Sequence, residues 1–287
     1  MTSSNESPTS SSRNSTKGAA DRSMPTPSSP ADVAVTVDQL RRAGCVFAEE
    51  EALLLVAAAQ SAAELVTMVN RRVAGSPLEH VVGWASFCGV QVAVHDGVFI
   101  PRRRSEFLVQ QAVALTPVEG VVVDLCCGSG AFGVAIAHAV SPVKLHSVDI
   151  DPAAVTCART NLALVGGVVY EGDLYAPLPE ALRSHVEVVV ASAPYVPTGE
   201  IRLLPLEARA YESPIALDGG SDGLDVVRRV IAEAPRWLAP TGHILVETSE
   251  RQADDTAAAV TECGLVATVV QSRDFEATVV IGAHASE

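Results

Sequence analysis

The chain has 287 residues, of which 48% are hydrophobic and 4% aromatic, and its formal net charge is −14. This length allows one large domain with a smaller one beside it, with a core of Val, Ala and Leu. So acidic a chain disfavours tight binding to nucleic acid, which requires clusters of Lys and Arg. No apolar run approaches the ~20 residues of a membrane span, and no secretory signal is recognisable. We therefore expect a cytoplasmic protein with no membrane partner.

The cysteine and histidine pattern argues against a metal centre. None of the six cysteines forms a C-x-x-C pair, and the seven histidines are scattered along the chain. Free thiols in a reducing compartment are the expectation, and no metal site is predicted.

The N-terminal part of the chain divides by composition into three segments. Residues 1–34 are rich in Ser, Thr and Pro without hydrophobic periodicity, which predicts a disordered tail. Residues 35–82 carry apolar residues at three- and four-residue spacing, which predicts a small helical domain. Residues 83–100 alternate like strands, with a turn signal at Asp96-Gly97, and predict a β-hairpin linker to the next domain.

Residues 101–287 alternate between strand and helix patterns. Such alternation predicts an α/β domain with a doubly wound, mostly parallel sheet. The last two strands have no helix between them, so they must form an antiparallel pair. The predicted strands cover 121–125, 144–150, 168–174, 186–193, 243–249, 265–274 and 277–284, and the predicted helices 131–140, 152–165, 224–238 and 253–264.

A glycine-rich turn follows the first of these strands. Gly128, Gly130 and Gly133 form a G-x-G-x-x-G motif between strand and helix, and Asp149 lies 21 residues after Gly128. An acid at that spacing accepts hydrogen bonds from a ribose. The motif by itself is consistent with a nicotinamide-dependent dehydrogenase, or with a tight strand-to-helix turn that binds no ligand.

Two further acids favour S-adenosylmethionine over a dinucleotide. Asp124 lies four residues before Gly128, where a carboxylate would repel a pyrophosphate but attract an ammonium or sulfonium group. Asp173 and Leu174 end the third predicted strand, where they could bracket an adenine. One cofactor with an amino acid part, a ribose and an adenine explains Asp124, Asp149 and Asp173 together.

Several motifs, taken in order, resemble a known family. VVVDLCCGSGAFGVAIA, HSVDIDPAAVTCARTNL, EGDLYAPL and SAPY are similar to class I S-adenosylmethionine-dependent methyltransferases with a Rossmann-like fold. PLEHVVGWASFCG, FIPRRRSEFLV, PIALDGGSDGLDVVRRVI and GHILVETSERQ narrow the resemblance to the HemK/PrmC group of protein-(glutamine-N5) methyltransferases. The likeness covers about residues 77–252.

The resemblance implies a cofactor site along one edge of the sheet, where S-adenosylmethionine is converted to S-adenosylhomocysteine. The loop 126–130 would contact the methionine part, Asp149 the ribose, and Asp173 with Leu174 the adenine. The complete set of expected cofactor-binding residues is Asp124, Cys126, Cys127, Gly128, Ser129, Gly130, Asp149, Ile150, Asp173, Leu174 and Ser192.

The family's N-P-P-Y motif corresponds to Ser192-Ala193-Pro194-Tyr195. In the family, the Asn carbonyl and the next backbone carbonyl accept hydrogen bonds from the target amide, and the Tyr packs on the substrate. Ser192, Pro194 and Tyr195 are thus expected to be catalytic. They are expected to bind substrate together with Ala193 and with Arg102, which matches the family's arginine.

This chain departs from the family pattern at two site positions. Cys126 stands where the family has a glycine, and we expect its side chain to require a negative φ. Ser192 replaces the asparagine; a hydroxyl can accept a hydrogen bond, but it is shorter than a carboxamide. Glu247, inside a predicted strand, is a candidate buried acid with a structural hydrogen-bonding role.

The expected function is methylation of a glutamine side chain in a protein such as a peptide release factor or a ribosomal protein. The helical domain would recognise that partner, and the enzyme would act as a monomer. Two alternatives stay open at this point. One is a methyltransferase for another amine, on a nucleobase or a small metabolite, and the other is a cofactor-binding protein with weakened catalysis.

Overall fold

The computed structural model describes residues 30–285. The predicted tail is only partly within that range: residues 1–29 lie outside it, and Pro30 to Ala34 form the first turns of a helix. The helices are α1 Pro30–Arg42, α2 Ala48–Ala58, α3 Ala62–Val73, α4 Leu78–Val82, α5 Glu106–Leu115, α6 Ala131–Ala139, α7 Pro152–Leu162, α8 Leu206–Tyr211, α9 Asp225–Glu233 and α10 Ala253–Glu262. The strands are β1 Trp84–Phe87, β2 Val90–Ala93, β3 Val121–Leu125, β4 Lys144–Asp149, β5 Val168–Glu171, β6 Val186–Ala191, β7 Leu238–Thr248, β8 Val266–Ser272 and β9 Ala277–Ala283.

Helices α1 to α4 form the predicted helical unit around a small core of their own. Leu40, Leu55 and Met68 are among the buried residues that build this core. Ser61 caps helix α3, because its Oγ accepts from the Glu64 amide at 3.2 Å. The Glu64 carboxylate accepts from the amide of Gln60, the residue before the cap, at 2.7 Å.

The linker is a β-hairpin, as predicted, but its turn is not at Asp96-Gly97. Strands β1 and β2 are joined by Cys88 and Gly89, whose φ angles are +49° and +75°. Positive φ at both central residues matches the twist of the flanking strands, and it is the geometry of two-residue hairpin turns. Gly97 instead lies after β2 and forms an isolated bridge with Glu212. Asp96 lies in a turn, but the prediction that Asp96-Gly97 forms the hairpin turn is wrong.

The main sheet has seven strands in the order β5-β4-β3-β6-β7-β9-β8. Strands β3 to β7 run parallel, and β9 is antiparallel to both β7 and β8, as predicted. The order reverses between β3 and β6, so the loops that follow these two strands open a crevice. This reversal places the glycine loop and the Ser192–Tyr195 loop next to each other.

Two apolar layers cover the two faces of the sheet. One contains Leu108, Ile136 and Leu162 from α5, α6 and α7, and the other contains Ile231 and Val260 from α9 and α10. The central strands read as continuous apolar runs because both of their faces are buried. Among residues 30–285, no helix is long and apolar enough to cross a membrane.

Candidate active site

A cavity of about 470 Å³ opens at the carboxyl ends of the parallel strands. It brings together most of the residues that the sequence singled out for cofactor and substrate. Asp124 and Gly130 are not part of the cavity lining. The predicted site residues that line the cavity are Arg102, Cys126, Cys127, Gly128, Ser129, Asp149, Ile150, Asp173, Leu174, Ser192, Ala193, Pro194 and Tyr195.

The structure requires a glycine at each position of the motif for a different reason. Gly130 has φ +76° at the start of α6, and Gly128 has φ +55°. A Cβ on Gly133 would lie 2.8 Å from Leu145 Cδ2, so this glycine allows α6 to pack closely against β4. A Cβ on Gly128 would meet no atom of the described residues within 4 Å. The loop therefore leaves open space at Gly128, on the cavity side.

Cys126 contradicts the expectation of a negative φ. Its φ is +55°, in the left-handed region that favours glycine. The backbone at the end of β3 must turn sharply to start the glycine loop, and this requirement overrides the side-chain preference. Burial raises the pKa of the Cys126 thiol, so the group is not a reactive thiolate.

Asp124 lies beneath the glycine loop with one carboxylate oxygen satisfied. Its Oδ2 accepts from the Gly133 amide at 3.2 Å, while Oδ1 has no hydrogen-bond partner among the described residues. Burial raises the pKa of Asp124 to about 8. A cationic ligand at the loop would favour the ionised form, which suits the ammonium of S-adenosylmethionine and would disfavour a pyrophosphate.

Asp149 supports the same loop from the end of β4. Its carboxylate accepts from the Gly128 amide at 2.8 Å and from the Asp151 amide at 2.9 Å. Burial raises the pKa of Asp149 above its ordinary value. The next residue, Ile150, is half exposed in the cavity. Asp149 thus fixes the shape of the loop, and its predicted contact with a ribose stays a prediction.

Asp173 has a partner that the sequence analysis did not identify. Its Oδ2 accepts from Arg229 Nη2 of α9 at 2.6 Å, and Arg229 also lines the cavity. Leu174 follows with φ +49° and is almost fully buried. The adenine end of the predicted pocket therefore carries an exposed ion pair beside an apolar wall.

The Ser192–Tyr195 loop, which we call the acceptor loop, faces a buried carboxylate on the neighbouring strand β7. Glu247 accepts from Ser192 Oγ at 3.5 Å and from Tyr195 Oη at 3.3 Å. Burial, together with the Glu247 charge, raises the pKa of Tyr195, so its phenol stays protonated. Glu247 thus has the structural hydrogen-bonding role that the sequence indicated.

Arg104 completes this cluster, although the sequence analysis gave it no role. Its Nε donates to Glu247 Oε1 at 3.2 Å, and its guanidinium lies 5.7 Å from the centre of the Tyr195 ring. Its neighbour Arg102, predicted to bind substrate, lines the cavity but pairs with buried Glu212 at 2.5 Å. Arg104 thus contacts Glu247 and Tyr195, whereas Arg102 forms an ion pair with buried Glu212.

A second loop, residues 217–225, packs directly behind the acceptor loop. We call it the backing loop. The Gly219 amide donates to the Val196 carbonyl at 2.9 Å, and Gln252 Nε2 donates to the Tyr195 carbonyl at 3.0 Å. A Cβ on Gly223 would lie 2.3 Å from that same Tyr195 carbonyl oxygen. The glycines in ALDGGSDGLD therefore allow two backbones to approach closely.

Comparisons with known proteins agree with this geometry. Residues 89–202 match the family described as the methyltransferase small domain. A release factor glutamine methyltransferase from Mycolicibacterium smegmatis is 37% identical over 211 residues, which cover 72% of this chain and 74% of that protein. The chain belongs to the family of the release factor glutamine methyltransferases. The first relatives are aligned over 66% to 74% of their own length.

Two other similarities mark the breadth of this methyltransferase fold. A 4-amino-L-phenylalanine/4-methylamino-L-phenylalanine methyltransferase from Streptomyces pristinaespiralis is 33% identical over 191 residues, covering 64% of this chain and 65% of that protein. The solved structure of a T. thermophilus 16S rRNA methyltransferase with AdoMet and guanosine has a TM-score of 0.50 and 19% identity. It covers 70% of this chain and 50% of that chain, and it shows the fold alone.

Membership in the family confirms the predicted Rossmann-like fold and the predicted enzyme class. The protein is a methyltransferase that uses S-adenosylmethionine, and the dehydrogenase alternative is excluded. The unpartnered Asp124 oxygen and the open space at Gly128 fit the cationic methionine part of that cofactor.

Proposed function

We propose that this enzyme methylates the side-chain amide of a glutamine in a peptide release factor. The observation that carries the proposal is the position of the acceptor loop. It follows directly from β6, beside the glycine loop that follows β3, and both loops line one cavity. Relatives that are 36% and 37% identical to this chain carry the name of this activity.

The residues of the acceptor loop are suited to orient an amide nitrogen. Ser192 Oγ and the Ala193 carbonyl are hydrogen-bond acceptors, and each can take one N–H of a carboxamide –NH₂. This arrangement directs the nitrogen lone pair along the line of transfer. The Tyr195 ring, fixed by Glu247 and Arg104, provides a flat surface for the substrate side chain. Positioning of this kind accounts for most of the rate in a direct transfer between two bound groups.

S-adenosylmethionine supplies an electrophilic methyl group on its sulfonium. The C–S bond breaks as the N–C bond forms, and the nitrogen then loses one proton to solvent.

The helical unit, residues 30–82, is the proposed recognition module for the release factor, because α2 exposes Leu53 and Leu54 beside a run of glutamates.

The decisive test is a transfer assay with a purified bacterial release factor from cells that lack its native methylation. Transfer of a labelled methyl group from S-adenosylmethionine to one glutamine, located by peptide mass spectrometry, would support the proposal. A release factor whose acceptor glutamine is changed to asparagine is the matched control. Absence of label in the intact release factor would overturn the proposed substrate.

Ser192 favours a second candidate, a small aromatic amine. A hydroxyl in place of a carboxamide shortens the acceptor and leaves more room for a bulky nucleophile. The relative from Streptomyces pristinaespiralis is named for methyl transfer to such an amine. We therefore include 4-amino-L-phenylalanine as the alternative acceptor, and faster transfer to it than to release factor would favour this second function.

A further inference from the structure

Three hydrogen-bond donors converge on the buried carboxylate of Glu247. The side chain of Glu247 is 3% exposed, so water does not replace its partners. Ser192 Oγ, Tyr195 Oη and Arg104 Nε lie 3.5, 3.3 and 3.2 Å from its oxygens. An ionised carboxylate has no proton to give, so all three groups must donate to it.

This geometry directs the Ser192 hydroxyl proton toward Glu247 over a long contact of 3.5 Å. Because its single proton points at Glu247, only oxygen lone pairs remain for the cavity that Ser192 lines. Toward a substrate, Ser192 is then a hydrogen-bond acceptor, which is the role that the carboxamide oxygen has in the family motif. A hydroxyl without such a partner would rotate freely and could equally present its proton to the substrate.

We propose that Glu247 is a positioning residue that holds the Ser192 hydroxyl as an acceptor, so that the acceptor loop selects nucleophiles bearing N–H groups. The inference rests on the proposed function, since it concerns how the same loop orients its nitrogen. Glu247 takes no proton from the substrate. It acts through Ser192, and the proton lost from nitrogen leaves to solvent after transfer.

Arg104 pairs with this carboxylate and holds it in place. It is the only cation within 4 Å of Glu247 among the described residues, and it contacts the Tyr195 ring on its other side. The family resemblance gives a role to Arg102, which matches the family's arginine, and none to Arg104. At the acceptor end of this chain, Ser192 is the departure from the family pattern.

The carboxylate matters because a carboxamide would reverse the hydrogen bond. In Glu247→Gln, the new –NH₂ group can donate to Ser192 Oγ, and the Ser192 proton would then turn toward the cavity. That proton would oppose the N–H of the substrate. The change preserves the size of the side chain, so packing is retained.

A double-mutant cycle separates this role from a structural one. The variants are Glu247→Gln, Ser192→Ala and the double variant, assayed with release factor for kcat and KM and with S-adenosylmethionine for Kd. Glu187→Gln is the matched control, because Glu187 is also a glutamate in a strand of the sheet. Its carboxylate accepts from the Val121 amide at 2.7 Å, at the end of the sheet where the parallel strands begin, away from the acceptor loop.

We expect Glu247→Gln and Ser192→Ala each to lower kcat about 10- to 100-fold, and the double variant to lower it no further. The cofactor Kd should be unchanged in Glu247→Gln, and the control should match wild type. Three results would each overturn the inference: penalties that multiply in the double variant, a wild-type kcat in Glu247→Gln, or a loss of cofactor binding in Glu247→Gln.

The outcome also separates this inference from the proposed function. The same cycle is run with 4-amino-L-phenylalanine, whose amine has N–H groups as well. Transfer to this acceptor alone would overturn the proposal that a release factor is the substrate. The double-mutant cycle with this acceptor would still test the role of Glu247. A wild-type enzyme that transfers to neither would overturn the proposed function and this inference together, whereas independent penalties in an active enzyme would overturn the inference alone.

Discussion

Asp124 shows how one buried carboxyl group can serve binding at the expense of stability. It lies under the glycine loop with Oδ1 unpartnered, and burial raises its pKa from 3.8 to about 8. At neutral pH the group is therefore largely protonated before a cation arrives. An ammonium partner stabilises the ionised form, so cofactor binding must release this proton.

The affinity for S-adenosylmethionine should rise with pH. We expect Kd to fall by up to about tenfold per unit between roughly pH 6 and 7.5, because one proton is released on binding. The cofactor's own amino group is mostly protonated in that range, since α-amino groups titrate near ~7.7–8.0. Calorimetry across this range measures the slope, and Asp124→Asn should bind more weakly with no slope. An equally steep slope in the variant would assign the proton to another group.

The same substitution should have the opposite effect on folding. A carboxyl whose folded-state pKa is raised favours folding below its unfolded pKa and loses that contribution as pH rises through about 8. Asp124→Asn removes this dependence. The difference in Tm between Asp124→Asn and wild type should therefore be more positive at alkaline pH than at acidic pH.

Ser192 is the position at which substrate preference can be tested directly. In Ser192→Asn, the –NH₂ group can donate to Glu247 as the hydroxyl does, while the longer carbonyl reaches further toward a glutamine amide. We expect unchanged cofactor Kd and faster transfer to release factor, since an aligned hydrogen bond in a transition state is worth about 2–4 kcal/mol. Transfer to 4-amino-L-phenylalanine should slow, because the pocket is smaller. Slower transfer to release factor would count against a glutamine amide.

At the scale of elements, the acceptor loop is shaped by the loop behind it. The backing loop approaches so closely that Gly223, with φ +82°, has no room for a Cβ beside the Tyr195 carbonyl. Gln252 joins the two loops by donating to the carbonyls of Tyr195 and Asp222. The orientation of the acceptor loop therefore depends on residues that follow it by some 30 to 60 positions.

Gly223→Ala should impair transfer without weakening cofactor binding. The added Cβ must push the Tyr195 carbonyl away, and a shift of about 1 Å at a catalytic loop can cost on the order of 100-fold in rate. The glycine loop follows a different strand, so the Kd for S-adenosylmethionine should not change. Gly199→Ala is the control, because a Cβ there meets no described atom within 4 Å. Wild-type kcat in Gly223→Ala would show that the acceptor loop is supported in another way.

At the scale of the whole molecule, residues 198–216 connect the cavity to the helical unit. We call them the cover segment; it contains α8 and lines the cavity through residues such as Pro205 and Ile215. Arg72 of α3 pairs with Glu207 of α8 at 2.8 Å and with buried Glu51 of α2 at 2.6 Å. The Arg72–Glu207 ion pair therefore joins the helical unit, on which a partner would dock, to the cover segment.

Glu207→Ala should raise the KM for release factor while leaving the cofactor Kd unchanged. The half-exposed ion pair is worth about 0.2–1 kcal/mol, so the expected rise in KM is at most about fivefold and is smaller at high salt. Arg72 keeps its buried partner Glu51, so the fold is retained. Glu180→Ala removes a comparable exposed ion pair far from the cavity and serves as the control. Equal KM values in both variants would show that the cover segment is not coupled to the helical unit.

The sequence by itself determined the architecture of the catalytic domain. Apolar runs alternating with helical patterns located the strands β3 to β9, although β7 begins at Leu238 and not at the predicted residue 243. The short gap before β9 required an antiparallel end. The glycine motif and Ser192–Tyr195 were recognisable because they follow buried strands, whose carboxyl ends share one edge. These signals are local, since hydrophobic periodicity and turn chemistry depend on residues near in sequence.

Only the tertiary structure decided which side chains meet at that edge. Arg104 and Glu247 are separated by 143 positions, and Arg102 and Glu212 by 110, so no spacing rule pairs them. The same holds for the hairpin, whose turn formed at Cys88-Gly89 because the register of two strands outweighed the local preference of Asp96-Gly97. Burial also determined the protonation of Asp124, since a carboxyl pKa depends on the groups that surround it in space.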